Sequence, residues 1–313
     1  MSSPDHPAIA IIGPTACGKS ELALSLALEL GGEIVSCDAL QVYRHMNIGT
    51  AKPTPAEHEM VPHHMLDLRE PHQDFSAGDY QRIGRETLRD IAGRGRLPFV
   101  AGGTGFYLRA LIDGLFEGPG RSEELRTRMR RIIERRGAAF LHRRLQRADP
   151  ATAARIAPAD ASRTVRAYEM LLLTRKPMGW WQKQERNALH GFRWLKLGLA
   201  WPRERLYERI NLRVEQMFRS GLVDEVRGLL DRYARSCHAF KAIGYRQVIE
   251  HLEGKIPLAR AVTDTQKATR NYAKRQLTWF RSDREVIWLD AAGDFAVLRR
   301  AAAGHVRDFL RNF

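Results

Sequence analysis

The stretch that most constrains this chain is Gly13-Pro14-Thr15-Ala16-Cys17-Gly18-Lys19-Ser20, which matches G-x-x-x-x-G-K-[ST]. The apolar run Ala8-Ile9-Ala10-Ile11-Ile12 precedes it, and Glu21-Leu22-Ala23-Leu24-Ser25-Leu26-Ala27-Leu28-Glu29-Leu30 follows. The order reads strand, glycine-bounded loop, helix. In that setting successive backbone N–H groups form an anion-binding concavity, and the positive end of the helix adds to it. Lys19 brings a point charge to the outer phosphate, and the Ser20 hydroxyl is placed as a ligand for Mg²⁺. The expected ligand is a di- or triphosphate, with nucleotide (ATP) binding one form of it.

At 313 residues the chain can build one large domain or two of ordinary size, and 44% hydrophobic residues with 28% charged describe a globular protein. The N-terminus enters the first strand without a basic n-region or long apolar h-region, so no signal peptide is expected. No apolar run approaches ~18 residues, so no membrane span is expected. Cys17, Cys37 and Cys237 have neither CxxC nor zinc spacing, which fits a reducing cytoplasm. The net charge of +15 points to a polyanionic partner, and nucleic acid fits better than membrane because no basic amphipathic anchor is present.

Glu33-Ile34-Val35-Ser36-Cys37 reads as a second strand ending at Asp38. A parallel strand after a helix puts its carboxyl end on the side of the phosphate loop, where open α/β sheets meet their ligands. Asp38 is therefore a candidate site residue; the alternative is that it caps a following helix. Residues 46–74, rich in Pro and His, read as a functional loop with short turns, its histidines structural rather than metal-binding. A helix over 76–94 leads to a third strand at 97–101 and the turn Gly102-Gly103-Thr104-Gly105. Glycines there permit close backbone approach to a ligand, making Thr104 a second candidate. The strand lacks the terminal Asp of many phosphate-loop ATPases. That speaks against a motor-type ATPase and leaves a kinase open.

From 119 to 194 the pattern becomes helical, with helices expected over 122–136 and 138–147. This segment carries 18 Lys+Arg against 7 Asp+Glu, or +11 of the total +15. Clustered arginines suit phosphate neutralisation on nucleic acid, the alternative being a kinase lid, which needs far fewer. Strand character resumes at 194–199. A helix over 203–220 carries Arg205, Arg209 and Arg213 at four-residue spacing, either facing a ligand or paired in solvent with Glu204 and Glu208. Another helix spans 222–233. Residues 269–281 interleave bases with aromatics, as stacking on unpaired RNA bases requires, or else form an amphipathic helix burying Tyr272, Leu277 and Phe280. A last strand at 286–290 and a closing helix complete the chain. The expected fold is α/β, a P-loop NTPase-like parallel sheet core (1–118 and 195–313) with an inserted helical domain (119–194).

Beyond the phosphate loop, the chain carries SCDALQVYRHMNIGTAKP at 36–53, VPHHMLDL at 61–68, AGGTGFYLRAL at 101–111, FKAIGYRQ at 240–247 and TRNYAKRQLTWFR at 269–281. In this order the motifs resemble the tRNA dimethylallyltransferases (tRNA isopentenyltransferases) of bacterial type. The resemblance implies prenyl transfer from dimethylallyl diphosphate to N6 of the adenine 3′-adjacent to the anticodon. With Ser20 in the loop the reaction is expected to use Mg²⁺, the cysteines point to the cytoplasm, and a monomer is the default with the oligomeric state open. The resemblance also implies that residues 13–20 hold the diphosphate with Arg213, and that Asp38 is the general base. It further implies contact with the tRNA anticodon stem-loop by Asp38, Ala39, Leu40, Gln41, Thr104 and Arg126. Ser162, Arg163, Thr164, Val165 and Arg166 join them, as do Lys241, Ala242, Ile243, Gly244, Tyr245 and Arg246. The last group is Lys274, Arg275, Gln276, Leu277, Thr278, Trp279, Phe280 and Arg281. Ala39 and Cys17 stand where the family commonly has Ser. Two other readings of the residues stay open: a small-molecule kinase in which Asp38 activates an acceptor hydroxyl, and a nucleotide-switched RNA-binding module without catalysis.

Overall fold

The computed structural model describes residues 5–313. The chain divides into two compact units, one running to Ile112 and resuming at Leu189, the other Asp113–Ala188. The first unit begins with β1 (His6–Ile12), α1 (Lys19–Leu30), β2 (Gly32–Cys37), α2 (Pro55–Met60), β3 (His63–His64), α3 (Ala77–Gly93), β4 (Leu97–Gly102) and α4 (Gly105–Ile112). The second unit holds α5 (Glu123–Arg136), α6 (Ala138–Ala148), α7 (Pro150–Ala153), α8 (Ala161–Thr174) and α9 (Met178–Trp181). The first unit then continues with β5 (Phe192–Ala200), α10 (Arg203–Arg219), α11 (Leu222–Arg232), α12 (Tyr245–Leu252), α13 (Leu258–Phe280), β6 (Val286–Asp290) and α14 (Phe295–Leu310).

The six strands among the described residues pair in parallel, in the order β3-β2-β4-β1-β5-β6. Parallel strands covered on both faces read as continuous apolar runs, as β1 does. Its side chains alternate between two cores. Ala8, Ala10 and Ile12 join one cluster and Ile9 and Ile11 the other, so helices cover both faces of the sheet. Local chemistry sets the helix ends. Ser76 and Asp79 form a reciprocal capping box at the start of α3. Gly31, left-handed at φ 65°, closes α1 by donating its N–H to the Ala27 carbonyl.

Two expectations change. Residues 46–74 contain α2, opened by a Thr54/Glu57 capping box, and the edge strand β3, whose His63 and His64 pair with Ile34 and Val35. Elements this short leave almost no periodicity to read. His64 Nε2 lies 2.7 Å from the buried Glu33 carboxylate and His63 Nδ1 lies 2.8 Å from the Val61 carbonyl, so both rings have structural partners. The insertion closes at Asp113–Ala188 rather than 119–194, because Phe192 already pairs with His6 in the sheet.

Within the insertion, Leu145, Ala153 and Ala167 form a small core with Ile156, Tyr168 and Met178 against it. Beside them Glu169 is fully buried on α8. It accepts bonds from Arg126 Nε (2.7 Å), Arg126 Nη2 (2.9 Å), Arg166 Nη1 (2.6 Å) and the Ser122 N–H (2.9 Å). Burial works to raise its pKa; the two guanidiniums and the amide outweigh burial and hold it at about 2.

Candidate active site

Ile12 of β1 and Cys37 of β2 are both register partners of Gly102 at the end of β4. The next residues, Gly13, Gly103 and Asp38, therefore leave the sheet at one level. With strands ≈ 4.8 Å apart, Asp38 stands about 10 Å from Gly13 across the intervening Gly103. This is the carboxyl edge, where open α/β sheets bind ligands.

The loop after β1 is wound tightly. Gly13 has φ 146°, Ala16 is left-handed at φ 65° and Gly18 at φ 94°. A Cβ on Gly13 would lie 2.9 Å from Cys17 Sγ and 3.2 Å from the Leu199 carbonyl oxygen, so only glycine fits there. The winding is held from outside. Arg209 Nε donates to the Ala16 carbonyl (3.0 Å), and Trp201 Nε1 to the Cys17 carbonyl (3.0 Å). The Arg209 guanidinium also stacks 4.4 Å from the Trp201 ring centroid. Lys19 Nζ curls back to the Pro14 carbonyl at 2.6 Å, and Ser20 is exposed at the start of α1. Arg213, one turn beyond Arg209 on α10, is pulled below the usual arginine range by burial, while the charge of Asp38 draws it back up. Arg209 and Arg213 thus face the site rather than pairing in solvent with Glu204 and Glu208.

Across the edge, Asp38 starts a turn rather than capping a helix: Oδ1 accepts the N–H of Leu40 (2.8 Å) and of Gln41 (3.3 Å). One oxygen is fixed, and Oδ2 makes no hydrogen bond among the described residues. Thr104 Oγ1 accepts the Ala39 N–H at 3.2 Å, and the Thr104 N–H bonds the Cys37 carbonyl at 3.1 Å. Gln41 is held by Ser36 Oγ (2.7 Å) and by its own amide's bonds to the Thr50 and Ala51 carbonyls. Burial, then the charge of Asp38, pushes the Tyr272 phenol up to about 12. Burial likewise pushes the neighbouring Cys37 up to about 12, leaving it a thiol.

The residues expected at RNA differ in exposure and partners. Tyr245 and Phe280 are core side chains, the Tyr245 hydroxyl donating to Glu225 at 2.7 Å. Thr164 is buried with no partner for its hydroxyl among the described residues. Gln276 is buried between the Thr15 N–H and the Gly103 carbonyl. Gly244, Ala242, Ile243, Leu277 and Val165 offer only backbone or partly covered apolar atoms. Arg126 and Arg166 bond Glu169. Ser162, Arg163, Lys241, Arg246, Lys274, Arg275, Thr278, Trp279 and Arg281 are exposed. Trp201 and Tyr272 escaped sequence reading as site residues, the first because a lone Trp after a strand carries no spacing signal.

A loop of this winding on a parallel sheet, with a carboxylate level with it, defines a P-loop NTPase-like α/β enzyme. A family model described as IPP transferase matches residues 41–283. The chain is 51% identical over 288 residues to the tRNA dimethylallyltransferase of Koribacter versatilis, covering 92% of this chain and 94% of the relative. It is 49% identical over 305 residues to that of Solibacter usitatus, covering 97% and 99%. Among solved structures, the tRNA isopentenylpyrophosphate transferase of Bacillus halodurans superposes with TM-score 0.73 at 38% identity, covering 98% of this chain and 97% of the other. A eukaryotic dimethylallyltransferase acting on tRNA gives 0.81 at 26% identity, covering 99% and 80%. The chain belongs to the IPP transferase family, with bacterial tRNA dimethylallyltransferases as relatives.

Proposed function

We propose that this protein moves the dimethylallyl group of dimethylallyl diphosphate to N6 of the adenine 3′-adjacent to the anticodon, releasing diphosphate. Asp38 is the general base. Adenine N6 is a poor nucleophile because its lone pair is delocalised into the ring. As N6 attacks the allylic carbon, the C–N bond forms, the C–O bond breaks, and its electron pair leaves on the diphosphate. The N6 proton passes to the carboxylate, most simply to Oδ2, since Oδ1 already holds two amides. The target base lies in a loop, so extruding it costs only a few kcal/mol of unstacking.

Charge accumulating on the leaving diphosphate meets the loop amides, Lys19 and Arg213, and preorganised donors of this kind contribute roughly 3–4 kcal/mol each. The donors fit a metal-assisted diphosphate as well. No cluster of three or more His, Cys, Asp or Glu side chains exists among the described residues, and Ser20 offers an exposed hydroxyl beside Lys19. In a loop of this pattern the Ser or Thr after the lysine is the hydroxyl that meets Mg²⁺ beside the phosphates, so Ser20 would hold it. When bound, it supplies charge neutralisation of the diphosphate.

The observation that carries this reading is the level exit of Gly13, Gly103 and Asp38 from the sheet, which sets an anion cradle opposite a fixed carboxylate. The insertion brings clustered arginines that suit RNA phosphates, and in the other unit Lys274, Arg275, Trp279 and Arg281 are exposed, with Trp279 39% exposed, as stacking on unpaired bases requires. No helix among the described residues is long and apolar enough to cross a membrane. A cytoplasmic monomer is the form in which the proposal has the protein act. RNA-dependent release of diphosphate from dimethylallyl diphosphate tests the reading. Release is expected with an anticodon stem-loop carrying the adenine. Phosphate transfer from ATP without prenylation would instead establish the kinase.

A further inference from the structure

Gln276 spans the gap between the two halves of the site. Its Oε1 accepts the Thr15 N–H at 2.8 Å, and its Nε2 donates to the Gly103 carbonyl at 2.8 Å. The side chain is 6% exposed, which excludes a surface contact with RNA. Its orientation is unambiguous, because the loop offers only a donor and the turn only an acceptor. The geometry is also close. A Cβ on Gly103 would fall 2.1 Å from Gln276 Nε2, and one on Gly105 would fall 2.1 Å from Trp279 Cδ1, so both glycines let α13 press against the turn.

The bonds continue on either side. Gly103 precedes Thr104, whose hydroxyl accepts the Ala39 N–H, the amide immediately after Asp38. Thr15 precedes Ala16, whose carbonyl is held by Arg209. A hydrogen-bonded bridge therefore runs from the phosphate loop through Gln276 and the turn after β4 to the residue that follows Asp38. Because the Thr15 amide is engaged, the cradle consists of the amides beyond it. No other side chain does the same: Glu lacks the donor, Met lacks both groups, and Asn is one methylene short.

We propose that Gln276 is a positioning residue that fixes the separation of the diphosphate cradle from Asp38, so that it governs the rate with both substrates bound and not the binding of either. The proposal rests on the prenyl-transfer reading above. A misplacement near 1 Å can cost about 100-fold in rate.

The test measures three quantities for the native protein and for Gln276→Met and Gln276→Glu. These are the single-turnover rate of prenylation, the Kd of inorganic diphosphate with Mg²⁺, and the Kd of an anticodon stem-loop RNA. Gln276→Met is expected to lose about 10–100-fold in rate with both Kd values within about threefold. Gln276→Glu, a near-isostere whose protonated form regains the donor, is expected to approach the native rate as pH falls from about 8 to about 6. Normalising to the native rate at each pH removes the titration of the base. An unchanged rate in both variants, a loss matched by equally weaker binding of either ligand, or a pH-independent deficit in Gln276→Glu would overturn the proposal. If Gln276→Met does not fold, the pH response of Gln276→Glu decides alone. Absence of prenylation by the native protein would instead overturn the underlying reading.

Discussion

Thr104 Oγ1 accepts the backbone N–H of Ala39 at 3.2 Å, locking the turn after β4 to the residue that follows Asp38. The Thr104 amide bonds the Cys37 carbonyl on the other side of Asp38, so Asp38 is bracketed by one residue. Thr104→Val keeps the shape and removes the acceptor. It is expected to lower kcat about tenfold, while Thr104→Ser retains most of it. Steady-state kinetics with saturating RNA and donor would check this, and equal rates for Val and Ser would count against the bracket.

Arg213 reaches the site with its guanidinium largely desolvated, and burial pulls its pKa down. In the proposed complex a diphosphate would add counter-charge to that of Asp38. Arg213→Ala should therefore raise the Kd of inorganic diphosphate about 100-fold, by loss of a charge-assisted contact, with RNA affinity unchanged. Calorimetric titration of each ligand separates the two effects.

Thr164 was expected at RNA, yet its hydroxyl is buried without a partner among the described residues. Replacing an unsatisfied buried hydroxyl with a methyl of the same shape is neutral or stabilising. Thr164→Val should leave RNA binding intact and match or exceed native stability by up to about 1 kcal/mol. Weaker RNA binding in this variant would return the hydroxyl to the interface.

Glu169 has a folded pKa of about 2, below its ordinary value of 4.5. Its stabilisation of the insertion is thus fully present above pH 4.5 and is lost as pH falls toward 2. Glu169→Gln leaves Arg126 and Arg166 facing a neutral amide. It should cost about 3–5 kcal/mol at neutral pH, as breaking a buried pair does, and much less near pH 2. Urea unfolding at both pH values, read by hydrogen exchange of α5 and α8, measures the difference.

The sheet and the phosphate loop were legible because they depend on local pattern: an apolar run, two glycines and a lysine at fixed spacing. The placing of Asp38 and Thr104 at the carboxyl edge was legible because parallel topology sends strand ends to one edge. The insertion's boundary was less so, since Phe192 belongs to β5 only through its pairing with His6, far away in sequence. Gln276 and Glu169 were not legible in their actual contacts. Gln276 sits among exposed bases and aromatics and reads like them until the helix face is known. Glu169 is one acid in an arginine-rich segment, and only packing reveals that two of those arginines converge on it.

In the proposed reaction the Asp38 carboxylate takes the proton from adenine N6 while the loop holds the departing diphosphate. The most direct test of that step is mass analysis of nucleosides from tRNA incubated with dimethylallyl diphosphate, Mg²⁺ and either the native protein or Asp38→Asn. The native protein is expected to add one dimethylallyl group to a single adenosine beside the anticodon, and Asp38→Asn to do so about 10²–10⁴-fold more slowly with RNA affinity kept. Equal product from both proteins, or no prenylated adenosine from the native one, would contradict the account.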